Sequence, residues 1–374
     1  MKYKHILITG GAGFIGSHLT DYFIEKGYKV RILDNLHPQI HPNGKPPAYL
    51  NARAEFFKGD VTNRADWLRA LDKIDAVVHF AAAVGVGQSM YEVERYVKVN
   101  CLGTAILTDI IANEKHTVKK MLVAASMSSF GEGEYKCPQC QHVEQPDLRQ
   151  SANMNEGIWE PLCSKCGKQL KAVPTAENAL RKSPSVYAIT KKTQEDLILA
   201  IGKAYRIPAV SLRFFNAFGT RQSLSNPYNG VAAIFLSRVK NGKPPIINED
   251  GFQTRDFVHI KDIVRACEMT LENDRADYES FNVGSGMPTT IQEVAAVVLK
   301  MCKSNLKPEI TGKFRGFDVR HCFADIRKLK NYVGWQPTIS FAEGMLDVFE
   351  WSKNETAIDK VDQAMNELEK RGLR

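Results

Sequence analysis

Apolar and polar positions alternate along this chain on two length scales. Short apolar runs occur at "HILIT" (5–9), "KVRILDN" (29–35), "AEFFKGDV" (54–61), "IDAVVHFAAA" (74–83), "KKMLVAASMSS" (119–129) and "AVSLRFFNAFG" (209–219). Each is short, rich in branched or aromatic residues and bounded by glycine or charge, which predicts a strand. The fourth run has no polar alternation, as expected of a strand covered on both faces. Between the runs lie longer stretches with apolar residues every three to four positions: "FIGSHLTDYFIEKGY", "RYVKVNCLGTAILTDIIANE" and "YAITKKTQEDLILAIGKAY". These predict helices. Strand–helix alternation over the first 220 residues or so predicts an α/β fold, a doubly wound parallel sheet with right-handed crossovers.

Beyond residue 220 the pattern loosens into turn-rich stretches such as "QSLSNPYNG", "NGKPP" and "GSGMPTT". They predict a smaller α/β lobe, mainly 221–352, whose segments return to the main sheet. In the tail, 353–374, Ile358, Val361, Met365 and Leu368 fall on one stripe of a docked or partner-facing helix.

Composition narrows the class little: 44% hydrophobic and 25% charged residues describe an ordinary globular protein. No run of 18 apolar residues is present, so no membrane partner is expected, and "MKYKHILITGG" lacks a signal-peptide core; a cytoplasmic protein is expected. The net charge of +8 comes from scattered Lys and Arg without a basic block. That argues against a nucleic-acid partner and suits an anionic small substrate.

Candidate chemistry begins at "TGGAGFIG", which sets Gly10, Gly13 and Gly16 between the first strand and first helix. Glycines allow the tight turn, and the helix N-terminus, at Phe14 and Ile15, offers amide donors to a pyrophosphate. A plain structural turn is the alternative for such a stretch. Asp34 ends the second strand 18 residues beyond Gly16, where a carboxylate accepts from a ribose 2′-hydroxyl and repels a phosphate. NAD is therefore expected over NADP. "YAITK" sets Tyr187 and Lys191 one helical turn apart on one face. An ammonium and a nicotinamide cation near the phenol would stabilise its phenolate, fitting it to exchange a proton with a substrate hydroxyl. Ser126 and Ser128, after the fifth strand, would hold the same substrate oxygen; capping or turn roles are the alternative for each.

These motifs, with "DN" (Asp34, Asn35), "GDVTN", "HFAAAVGVGQS", "RFFNAFG", "TRDFVHIKDIVRA", "FNVGSG" and "FRGFDVRHCFAD", resemble the extended short-chain dehydrogenase/reductase family, in its nucleotide-sugar epimerase branch. The resemblance covers the chain outside 132–182. It implies a Rossmann-type NAD domain over 1–131 and 183–220, and a homodimer through the 97–112 and Tyr187 helices. Asp60 and Val61 would hold the adenine end, Ala81 and Ala82 would line the cofactor path, and Asn35 and Asn100 would join the cofactor set. Asn216, Arg255, Arg315 and Asp318 would hold the nucleotide-sugar substrate. Dehydratases and decarboxylases of the branch carry a carboxylate in the segment occupied here by Ser126-Met127-Ser128, so the resemblance implies C4 epimerisation through a 4-keto sugar. "ASMSSFGEGEY", the insertion and "YAITKKTQED" are similar to dTDP-L-rhamnose 4-epimerases, though with Phe130 in place of a tyrosine and Ala125 in place of a serine. UDP-hexose or UDP-hexuronate 4-epimerases share every motif outside the insertion; a nucleotide-sugar reductase and a non-catalytic NAD sensor are the remaining alternatives.

Ser126 and Tyr187 are 61 residues apart, which leaves room for an inserted segment of some 35 residues within 132–182. It carries "CPQC" (Cys137, Cys140) and "CSKCG" (Cys163, Cys166), the spacing of a four-cysteine zinc ribbon. A closed thiolate site leaves no position for substrate, so a structural Zn²⁺ is expected, with the ribbon as a lid or specificity wall over the sugar pocket.

Overall fold

The computed structural model describes residues 1–374. Its centre is a seven-stranded sheet of β1 (His5–Thr9), β2 (Lys29–Asp34), β3 (Glu55–Lys58), β4 (Ala76–His79), β5 (Lys120–Ser126), β6 (Ala209–Phe214) and β7 (Ser280–Val283). The order is β7-β6-β5-β4-β1-β2-β3, with every neighbouring pair parallel. The chain winds outward from β1 on both sides, so the β1 and β4 carboxyl ends meet at the switch point where ligands of such sheets bind. All four residues of β4 are buried, as the fourth run's lack of polar alternation predicts.

Helices α1 (Phe14–Glu25) and α2 (Ile260–Glu272) cover one face around Leu19, Phe23, Ile263 and Trp335. The other face buries Trp67, Leu107, Ile110 and Ile198, the last on α3 (Val186–Tyr205). The seventh strand comes from "SFNV", beyond the sixth run, so the chain returns from the second lobe to complete the sheet. That lobe has its own core of Phe218, Phe235, Phe257, Val294 and Met345. The tail helix α4 (Val361–Lys370) is docked rather than free. Arg238 reaches Asp362 at 2.7 Å, Lys313 reaches Glu369 at 2.8 Å, and Arg371 lies 4.5 Å over the Tyr91 ring.

The insertion forms a three-stranded antiparallel sheet, with Tyr135–Lys136 between Val143–Glu144 and Lys171–Ala172. No helix is long and apolar enough to cross a membrane.

Candidate active site

The turn after β1 is built so tightly that side chains are excluded. Gly10 has φ +70°, and a Cβ there would lie 2.9 Å from the Ala81 amide nitrogen; at Gly16 a Cβ would lie 2.3 Å from the Gly10 carbonyl oxygen. The turn is thereby pressed against the β4 exit, where Ala81 and Ala82 stand half-buried. No side chain caps α1 behind Gly13, so the first-turn amides of Phe14 and Ile15 stay open for an anion. Asp34 closes the turn by accepting from the Ala12 amide at 3.0 Å and the Leu36 amide at 2.8 Å. Asn35 donates to Asp60 at 3.0 Å; burial works against the Asp60 charge, but Asn35 and Thr62 hold its carboxyl below the usual range. Val61 anchors the buried Trp67 indole through its carbonyl. The uncapped helix, the glycine cradle and the carboxylate at the strand end fit a dinucleotide without a 2′-phosphate. Asn100 lies behind the cradle: its amide is committed to Ala83 and to Thr190 on α3.

Across the β4 exit stands the catalytic candidate set. Ser185 caps α3 and starts the helix two residues before Tyr187, whose own amide donates to Ser89 at 3.0 Å. Ser126 Oγ accepts from the Ser128 hydroxyl at 2.9 Å, so the two serines form one polar edge. Burial pushes the Tyr187 phenol up to about 12, and Ser126 beside it acts the other way. Burial brings Lys191 down to about 7, against the charges of Cys101 and Glu195. No hydrogen bond joins Tyr187 to Lys191. Its ammonium donates to Gln194 Oε1 at 2.6 Å, a partner that the Tyr–Lys spacing did not suggest. No carboxylate hydrogen-bonds Ser126, Ser128 or the Tyr187 phenol; nearby Glu132 is spent on Tyr135 and on the Arg320 amide. Phe130, in a tyrosine position, is fully buried beneath the Arg213 guanidinium.

The remaining candidate groups stand on the segment after β6 and in the second lobe. Asn216 has a buried side-chain oxygen with no partner, an acceptor left for a ligand. Arg255 spends donors on the carbonyls of Thr254, Val319 and Arg320, which pins the segment carrying Arg315 and Asp318. Those two pair with each other at 2.7 Å, and Arg315 Nη1 lies beside Gly87 of the first domain.

In the insertion, Cys137, Cys140, Cys163 and Cys166 bring their sulfurs within 4.8 Å of one another. Three sulfur pairs lie at 3.4, 3.6 and 3.8 Å. Zn–S bonds of about 2.3 Å arranged tetrahedrally require edges of about 3.8 Å, so the set fits a four-thiolate ion. The insertion's root is fixed by charge. Arg149 donates to both Glu249 oxygens at 2.8 Å, and Arg320 reaches Glu249, Asp250 and Glu160. Trp159 packs edge-on against Phe314, next to Arg315, with ring centres 6.2 Å apart. The insertion therefore meets the second lobe at the 314–321 segment.

His79, Thr104, Gln194 and Ser89 belong to no predicted set. The available signal was polarity on buried faces: a histidine inside the apolar run of β4, and Lys191, Gln194 and Glu195 together on the covered side of α3.

The model of the NAD dependent epimerase/dehydratase family matches residues 6–153, and that of GDP-mannose 4,6 dehydratase matches residues 167–348. A dTDP-L-rhamnose 4-epimerase of Burkholderia thailandensis is 33% identical over 355 residues, 94% of this chain and 96% of the relative. The Thermotoga maritima UDP-glucose 4-epimerase solved with UDP-glucose superposes with a TM-score of 0.77 at 29% identity, covering 93% of this chain and 98% of that one. The Bacillus cereus UDP-glucuronic acid 4-epimerase, solved with UDP-glucuronic acid and NAD, gives 0.76 at 26% identity over 93% and 99%.

Proposed function

The chain belongs to the NAD-dependent epimerase/dehydratase family, in its nucleotide-sugar 4-epimerase branch, and from that premise we propose that it inverts C4 of dTDP-L-rhamnose to give dTDP-6-deoxy-L-talose. The observation that carries the reaction type is the Ser126–Ser128 edge beside Tyr187, free of any carboxylate. Elimination chemistry has no carboxylate acid–base pair there, and oxidation followed by reduction needs only one group, Tyr187, to take and return a proton. The substrate rests on the full-length likeness to the Burkholderia enzyme. A UDP-sugar is the second reading, favoured by the two solved 4-epimerases with UDP-sugars.

Tyr187 takes the C4 hydroxyl proton and later returns it, while Ser126, whose oxygen accepts from Ser128, donates to the same oxygen and holds it as a ketone. Bound NAD would accept and return the C4 hydride, and its nicotinamide cation would favour the Tyr187 phenolate. Gly10, Gly13, Phe14, Ile15, Gly16, Asp34, Asn35, Asp60, Val61, Ala81 and Ala82 would hold it, with Asn100 bracing the last of these. Asn216 would bind the diphosphate or sugar, and Arg255 with the Arg315–Asp318 pair would hold the phosphates and nucleoside, the arginines donating to phosphate oxygens and Asp318 accepting from the nucleoside. With the nucleotide diphosphate anchored, the 4-keto sugar can turn over before Tyr187 returns the proton. Cys137, Cys140, Cys163 and Cys166 would hold a structural zinc, which would brace the insertion as a wall of the substrate site. Val97, Leu102 and Ile189 are exposed on the 97–112 and Tyr187 helices, which supports a homodimer through that face. A cytoplasmic reaction fits the absence of a membrane-crossing helix.

An NMR assay of the purified protein without added cofactor tests this. Conversion of dTDP-L-rhamnose to its C4 epimer is expected; conversion of UDP-glucose or UDP-glucuronate alone selects the second reading. In Tyr187→Phe, turnover should fall by roughly 10²–10⁴-fold with bound NAD retained. Unchanged turnover would remove Tyr187 as the proton carrier.

A further inference from the structure

Beneath the Tyr187–Lys191 edge runs a fully buried polar chain whose protons can be assigned one by one. Thr9 Oγ1 accepts the Phe80 and Ala81 amides, each at 3.1 Å, so its own proton is left for His79 Nδ1 at 2.8 Å. His79 Nδ1 is therefore an acceptor, and the ring proton sits on Nε2, which donates to Thr104 Oγ1 at 2.9 Å. Burial, with the Lys191 charge adding to it, takes His79 down to about 3 and keeps the ring neutral. The Thr104 hydroxyl donates to the Asn100 carbonyl at 2.6 Å, so toward Gln194 it can only accept. It accepts from Gln194 Nε2 at 3.0 Å, and this turns the amide oxygen of Gln194 to the Lys191 ammonium at 2.6 Å. Every member is less than 4% exposed.

We propose that Gln194 is a positioning residue for the proton-carrying pair: its amide oxygen, aimed by His79 and Thr104, holds the Lys191 ammonium at the floor of the site. The proposal rests on the Tyr187–Lys191 reading above. Other charged or titratable groups facing Lys191 are Cys101, from the 97–102 turn, and Glu195, which is locked to Arg213 and Arg181; neither depends on Gln194. Without the amide acceptor the buried ammonium loses its partner and gives up its proton more readily. The phenolate of Tyr187 then loses a neighbouring positive charge, so its formation requires higher pH.

The test is the pH profile of kcat. In Gln194→Leu the acidic limb should move up by about one pH unit, the worth of one hydrogen bond to a charged group. Thr104→Val, which frees the amide to rotate, should shift it in the same direction by less, and Thr104→Ser should restore it. Melting temperature and bound NAD are measured alongside. A wild-type acidic limb in Gln194→Leu, with only melting temperature or NAD content altered, overturns the proposal. Should Gln194→Leu not fold, identical limbs in Thr104→Val and Thr104→Ser overturn it. If Tyr187→Phe keeps its turnover, the pair itself is misassigned. If Tyr187→Phe is inactive while Gln194→Leu keeps the wild-type limb, only the role of Gln194 falls.

Discussion

The central sheet and the cysteine insertion are held together by different forces. Each face of the sheet is covered by an apolar core, one of 28 buried residues and the other of 16. The insertion has a core of four, Tyr135, Cys137, Cys163 and Leu170, two of which are cysteines. At about 1.5–3 kcal/mol for each large buried apolar side chain, the sheet has ample driving force, while the insertion cannot offset the entropy of ordering its own backbone. It is closed instead at its tip by four sulfurs and at its root by an ion set in which buried Arg149, Glu249 and Arg320 meet half-buried Asp250 and Glu160. Directional bonds replace bulk burial, and each is an all-or-none dependence.

The largest expected break in this contrast comes from the proposed zinc. Structural zinc contributes apparent binding free energies of about 10–16 kcal/mol in small domains that have no other core. Cys163→Ser, or a strong chelator, should release the metal and open 132–182 to proteolysis. The sheet should keep its own melting transition and its bound NAD. Metal analysis, limited proteolysis and calorimetry read the three effects. A single transition in which metal and sheet are lost together would mean that the insertion is part of the main cooperative unit.

A smaller break lies at the root. Arg320 is 1% exposed and donates to three carboxylates, Glu249, Asp250 and Glu160. Arg320→Met removes the cation and leaves Glu249 to Arg149 alone, Glu160 to His321 and Asp250 to solvent, which costs about 3 kcal/mol. Denaturant unfolding followed at Trp159 should show the insertion loosening before the sheet. Because Arg255 also caps the Arg320 carbonyl, KM for the nucleotide sugar should rise more than kcat falls. A change in kcat alone would uncouple the root from substrate binding.

How much of this was legible in sequence follows from the range of the forces. The strands were legible because apolar runs act locally. The glycine cradle was too, because "TGGAGFIG" is dictated by contacts within one turn and its neighbour strand. The four cysteines announced a shared site by spacing alone. The seventh strand was harder: "SFNV" becomes a sheet element only by pairing with 211–214, about 70 residues earlier. The ion set was invisible, since Arg149 and Glu249 meet across 100 residues and Arg320 and Glu160 across 160, and each reads as an ordinary surface charge. The Lys191–Gln194 bond sits between these cases. Its spacing of three was in plain view, but only the burial of that helix face distinguishes it from a solvent-facing pair.

The finest test compares the two halves of the insertion itself. In the first knuckle the Cys137 amide donates to the His142 carbonyl at 2.8 Å and the Gln141 amide to the Cys137 carbonyl at 3.0 Å. In the second, the Cys163 amide donates to the Lys168 carbonyl at 2.8 Å and the Gly167 amide to the Cys163 carbonyl at 2.9 Å. The fourth residue after the first cysteine is left-handed in both, with φ +58° at Gln141 and +69° at Gly167. Only the second knuckle uses glycine there, so only the first carries the steric cost of a Cβ in that conformation, about 1 kcal/mol. Gln141→Gly should therefore stabilise the insertion by about 0.5–1 kcal/mol, after losing the exposed bond from the Gln141 side chain to Pro138. Gly167→Gln should cost a similar amount, since a Cβ there meets nothing within 4 Å and the strain is backbone alone. Resistance to chelator and the proteolysis midpoint of 132–182 measure both. The exchanged double variant should return to wild type if the knuckles are equivalent halves of one site. An unequal exchange would show that the second knuckle, nearer the root, carries more of the fold.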